Sequence, residues 1–123
     1  MQRFESILEA AKSFRFRKLL LCVFCLKRTR FSEDASIYFP DPNVPFTRLY
    51  ECKNRSPFLA PEDQTAIVLE LPCHESSPYW RMDESELLKR MVAALNDVKR
   101  LGEEEVLDAA VYRLPFAYPI LEI

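Results

Sequence analysis

The chain has 123 residues, 49% of them apolar and 29% charged, with a net charge of −2. That length makes one domain able to bury a real core, and the small net charge says little about partners. A single glycine, Gly102, accompanies nine prolines. Loops that cradle phosphate need glycines for close backbone approach or positive φ, so neither the dinucleotide fingerprint nor the P-loop can be written in this sequence.

The first thirty residues are basic: Arg3, Lys12, Arg15, Arg17, Lys18, Lys27, Arg28 and Arg30 stand against Glu5 and Glu9. These cations bracket an apolar run rather than line one face. They read as solvated flanks that keep a strand soluble, not as a nucleic-acid surface. The N-terminus lacks the layout of a secretory signal. The longest apolar run, Leu19–Leu26, is far short of the ~20 residues of a membrane helix. With four cysteines and no secretory signal, the sequence predicts a cytoplasmic protein with reduced thiols.

In chain order, Phe4, Ile7, Leu8 and Ala11 predict a short amphipathic helix over 3–13. Residues 17–27 predict a central strand buried on both faces. A short strand follows at 36–39, then a proline turn. Alternation over 46–52 puts Phe46, Arg48, Tyr50 and Cys52 on one strand face and Thr47, Leu49 and Glu51 on the other. Residues 65–71 read as a strand stopped by Pro72. The clearest element is a helix over 84–101. Asp83 is its N-cap, Glu86 completes a capping box, and Leu87, Leu88, Met91, Val92, Leu95 and Val98 form its stripe. Lys99 and Arg100 sit at its negative end, and Gly102 closes it in the left-handed conformation. A last strand covers 106–114. The fold class is therefore α+β: a mostly antiparallel sheet of about five strands, with one long helix (84–101) and a short N-terminal helix packed on it.

Cys22-Val-Phe-Cys25 has redox or zinc spacing, but in a strand residues three apart point to opposite faces, so the two read as buried small hydrophobes. Cys52, Cys73 and His74 come singly and predict no metal site. His74 reads as an exposed loop residue, and no catalytic residue is assigned. Arg48 is mid-strand beside aromatic residues. Such a cation either points into a ligand cavity or reaches solvent along its stem, and the pattern leaves both open.

The run Tyr38-Phe-Pro-Asp-Pro-Asn-Val-Pro-Phe-Thr-Arg-Leu-Tyr-Glu-Cys-Lys-Asn-Arg-Ser-Pro57 resembles a stretch of the protoporphyrinogen oxidase-like and amine oxidase-like FAD-dependent flavoproteins. It is similar also to the UDP-galactopyranose mutases, which share that scaffold. Phe16-Arg-Lys-Leu-Leu-Leu21, Glu70-Leu-Pro-Cys73 and Arg113-Leu-Pro-Phe-Ala-Tyr-Pro119 extend the resemblance over most of the chain. It implies that residues 1–123 are a single domain like the inserted substrate domain of a larger flavoprotein, without the Rossmann domain. FAD and its binding domain then belong to the parent, no cofactor is expected on this chain alone, and the chain by itself is not catalytic. The resemblance also implies that Arg48 helps hold an anionic small-molecule substrate, with Tyr50 and Lys53 as weaker substrate-binding candidates. Two alternatives stand beside it: a free-standing module that self-associates, and a fragment of a mutase-like isomerase.

Overall fold

The protein is described by a computed structural model over residues 2–99, 101, 102 and 105–121. Its elements are α1 (Gln2–Ser13), β1 (Phe16–Leu26), β2 (Ser36–Tyr38), β3 (Arg48–Glu51), β4 (Thr65–Cys73), α2 (Pro78–Arg81), α3 (Glu84–Lys99) and β5 (Val106–Pro119). The strands form one sheet in the order β2-β3-β4-β1-β5, every neighbour antiparallel. This is the expected α+β arrangement of five strands and one long helix.

The two faces of the sheet differ, and the sequence period explains how. Leu20, Cys22, Phe24 and Leu26 of β1 alternate onto one face with Ile67, Leu69, Leu71 and Cys73 of β4 and with Leu49 of β3. Leu87, Met91, Val92 and Leu95 of α3 close over them. Fully burying each such side chain contributes roughly 2 kcal/mol, so this inner face is where the fold is held. On the outer face Leu21, Val23 and Cys25 are only half-buried. The expectation that β1 is buried on both faces is corrected: one face of its apolar run is covered throughout, and the other is buried at Leu19 and only partly covered at Leu21, Val23 and Cys25.

Asp83 caps α3 as expected, its Oδ1 accepting from the Ser85 N–H at 2.9 Å and the Glu86 N–H at 3.4 Å. The Glu86 carboxylate does not complete a capping box. It accepts from Arg90 Nε at 2.8 Å, one turn along the helix. Arg113 of β5 pins the start of the helical layer by donating to the carbonyls of Trp80 and Met82 and to Glu84. That layer includes the single turn α2, which the sequence did not announce.

Other expectations are corrected. Gly102 does not adopt positive φ; its carbonyl instead accepts from the Glu105 N–H at 3.1 Å, just ahead of β5. Arg100, expected at the helix end, lies outside the described residues. β4 runs through Pro72 to Cys73. Proline is accommodated there because β3 begins at Arg48, opposite Glu70, and leaves β4 without a strand on that side at Pro72. β5 likewise passes through Pro115, which an edge strand tolerates. Phe46 does not share the face of Arg48; it is fully buried with the core and meets Phe39 edge-on at 4.9 Å. Cys52 leaves the strand for a tight helical turn, Cys52–Asn54. Finally, α1 forms but does not pack on the sheet: residues 4–17 are exposed throughout, Phe4 by 79% and Ile7 by 60%.

Candidate functional site

The outer face carries the polar chemistry. In β3, Leu49 and Glu51 turn to the covered side, so Arg48 and Tyr50 must face outward. Arg48 stands opposite Glu70 across the β3–β4 ladder. Its Nε donates to Glu70 Oε2 at 2.9 Å and its Nη2 to Oε1 at 2.6 Å, a bidentate pair. Hydrogen bonding to Glu70, and then to Tyr38, raises the guanidinium pKa above its usual value. The rings of Tyr50 and Tyr38 lie 5.6 and 6.0 Å from its centre, within cation–π range.

A cleft of about 560 Å³ opens over this pair. It is lined by Tyr38, Thr47, Arg48, Glu70 and Pro72, and by Arg17 and Tyr118–Leu121. Its volume is that of a small-molecule site. Arg17 reaches it because the odd-numbered residues of β1 face outward, and Tyr118 lies directly across from Arg17 in β5. The register is irregular between Arg17 and Leu19, where β5 carries extra residues, and Tyr118–Leu121 beyond that point line the cleft.

The three candidates from the sequence occupy different positions. Arg48 lines the cleft. Tyr50 sits beside it, its ring also 5.3 Å from the Arg55 guanidinium, and burial raises its phenol pKa. Lys53 is turned into the following loop, where its ammonium donates to the carbonyls of Pro61, Glu62 and Gln64 at 2.7–2.9 Å. All three of its donors are thereby used. Glu51 is fully buried and holds the 31–36 segment: it accepts from the N–H groups of Phe31 and Ser32, both at 2.8 Å, and from Thr65 Oγ1 at 2.6 Å.

Sequence reasoning missed Glu70, Tyr38, Arg17 and Tyr118. Glu70 had a legible signal: a lone acid inside the apolar run of β4 needs a partner. Arg17 and Tyr118 had none, since only the β1–β5 register brings them together.

The four cysteines are free. Burial raises the Cys22 thiol to about 12 and pushes Cys52 and Cys73 upward, which makes them poor thiolates. No group of three or more metal-ligating side chains occurs among the described residues. His74 lies in an exposed turn after β4.

A flavin dinucleotide needs a glycine-lined turn from strand to helix for its pyrophosphate. The one glycine of this chain instead follows α3, with no positive φ. The residues present do not fit such a cradle.

Comparison with known proteins places these features. No curated protein matches the chain. Among solved structures, a reduced UDP-galactopyranose mutase superposes with a TM-score of 0.75 at 20% identity, over 94% of this chain and 25% of that one. An Exiguobacterium sp. 255-15 protein provisionally named a protoporphyrinogen oxidase gives 0.73 at 12% identity, over 93% of this chain and 26% of that one. The chain thus spans about a quarter of the length of the structures it resembles, and at these identities the likeness shows a shared fold. The sequence profile of the UDP-galactopyranose mutases matches residues 7–103. The chain belongs to the UDP-galactopyranose mutase family.

Proposed function

We propose that residues 1–123 form a single domain that supplies the substrate-facing sheet of an FAD-dependent enzyme of this family. The flavin is held by a separate FAD-binding domain, and this chain alone is not catalytic. The observation that supports this most is the outer-face cleft, where the Arg48–Glu70 pair stands among tyrosines on the side of the sheet that α3 leaves open. A guanidinium and a carboxylate locked together, with aromatic rings beside them, offer donors, acceptors and stacking surface to a polar ring compound such as a sugar nucleotide. The redox chemistry belongs to the flavin; this chain orients the substrate. No helix among the described residues is long and apolar enough to cross a membrane, and we place the protein in the cytoplasm.

Titration of the purified chain with FAD, followed by flavin fluorescence, tests the division of labour. No saturable binding is expected, and stoichiometric binding would overturn it. Titration with a UDP-sugar followed by amide chemical shifts tests the cleft. Shifts are expected at Tyr38, Arg48 and Glu70, and a saturable response confined to other surfaces would refute the assignment.

A second reading, self-association, is favoured by one specific observation: α1 presents Phe4, Ile7 and Leu8 to solvent. It is compatible with the first, since α1 does not line the cleft.

A further inference from the structure

β5 is an outer strand of the sheet, with β1 on one side and no strand on the other among the described residues. One contact tells where its free backbone groups point. The Ala109 N–H donates to Oδ1 of its neighbour Asp108 at 2.9 Å, so it faces away from β1. Strand residues send their N–H and C=O groups to alternate sides, so Val111 and Arg113 face outward as well. The next place in that row is Pro115, which has no N–H to give β1. Between the register shift near Val106 and this proline, Asp108–Leu114 pair regularly with β1. The open row is therefore Ala109, Val111 and Arg113, and the Asp108 carboxylate stands where an incoming carbonyl would stand.

This regular segment is complementary to itself. Two copies laid antiparallel about a two-fold axis at Val111 pair Ala109 with Arg113, and Val111 with its own counterpart, as hydrogen-bonded pairs. All three outward residues then have partners. On the outer face the small Ala110 meets the large Tyr112 of the second copy, twice by symmetry. Val111 against Val111 is a β-branched pair of the kind that sheets favour. Asp108 stands opposite Leu114, so no like charges face each other, whereas registers centred on Asp108 or Arg113 would set like charges together. The net charge of −2 adds little repulsion between copies. A ladder over Asp108–Leu114 alone is short, ~24 Å at about 3.4 Å per residue, and a stable interface needs more surface. The covered face supplies it. A groove of about 250 Å³ lies between α3 and β5, lined by Phe24, Leu88, Lys89, Val92, Val106 and Ala109. The same register sets residues 113–116 of the second copy beside Val106–Ala109, where the exposed Phe116 meets apolar surface.

We propose that two copies of this chain pair along β5, over Asp108–Leu114 and about a two-fold axis at Val111, joining two five-stranded sheets into one. This rests on the self-association reading above and names its surface, which is β5 rather than α1. The contact uses the same patch on both copies, so it closes at two. The paired ladder ends before Tyr118, and the cleft stays open in the dimer.

The test follows the full chain by sedimentation equilibrium, and by amide hydrogen exchange at low and high concentration. A monomer–dimer equilibrium is expected. On dimerisation the amides of Ala109, Val111 and Arg113 gain protection, while those of Ala110 and Tyr112, already directed at β1, do not change. That alternation is a signature no contact through α1 would produce. Val111→Pro removes a donor that β1 does not use. It weakens the dimer about tenfold or more, the scale of the hydrogen bonds lost at the axis, and its melting temperature shows whether the monomer fold is kept. Ala110→Lys is the second variant: it leaves the backbone intact and puts a charge on the paired edge, the device that keeps edge strands single. It too should give a monomer. A dimer that forms with unchanged exchange along β5 and survives Ala110→Lys would overturn the assignment to β5, leaving self-association through another surface. A monomer at every concentration would overturn both. Growth beyond two copies would show that the edge is not closed by a two-fold contact and would also overturn the proposal.

Discussion

Arg48 and Glu70 hold each other in place, and the pair explains why a charged residue is stable inside a sheet. With side-chain exposures of 28% and 11%, both groups are partly desolvated, so removing one leaves the other uncompensated. Glu70→Gln is expected to cost about 2 kcal/mol in chemical denaturation, the value of a hydrogen bond to a charged group. Glu51 is the stronger case. Its fully buried carboxylate satisfies two backbone N–H groups and a hydroxyl, so Glu51→Ala strands several buried donors at once. The expected loss is on the order of 3 kcal/mol, read as a lower denaturation midpoint. Cys22 gives a pH prediction. Burial raises its thiol from the ordinary value of 9.0 to about 12. The folded state thus favours the protonated thiol, and this contribution is fully present below pH 9 and lost between about 9 and 12. Denaturation midpoints should fall across that window, and Cys22→Ala should flatten the fall.

At the scale of elements, what the sequence made legible follows from what a single segment can encode. The stripe of α3 and its Asp83 cap are local, so both could be read directly. The cap can be tested by pH. Hydrogen bonds from the Ser85 hydroxyl, and then from backbone N–H groups, lower the Asp83 pKa. Its stabilisation is present above the ordinary carboxylate pKa of 3.8 and lost as the pH falls below that through the depressed value. Asp83→Asn should remove this acid sensitivity while keeping a cap at neutral pH, measured as the melting temperature against pH. The boundaries of β4 and β5 were misread because a proline ends a strand only where its missing N–H faces a neighbour. That depends on strand order, which no segment contains. The role of Gly102 was misread for a related reason: a glycine after a helix fits a left-handed cap, but here its carbonyl accepts from the Glu105 N–H instead. In the candidate site Arg48 was legible because it sits mid-strand among aromatic residues. The place of Lys53, the weaker candidate, was not legible, since saturation by three loop carbonyls depends on how residues 61–64 fold back.

Across the whole molecule the sheet is asymmetric: α3 covers one face, and the other carries the Arg48–Glu70 pair and only partly buried residues of β1. Phe14, Phe16, Phe116, Tyr118 and Leu121 add exposed apolar surface near the cleft, Phe116 with 76% exposure. Surface of this kind normally meets a partner. The chain alone should therefore bind a hydrophobic dye and sediment faster at high concentration. Ile7→Asp in α1 should reduce the concentration dependence if α1 makes the contact. A monodisperse monomer at every concentration would show that α1 stays solvated.

The prolines of β5 also govern who else can join the sheet. β5 is an edge, and an edge strand is a template for a stranger's backbone. Pro115 and Pro119 interrupt its row of N–H groups, so an incoming strand can recruit an unbroken donor row only from Val106 to Leu114. The half of the edge beside the cleft is thereby guarded against fibril growth without a single charge being placed there.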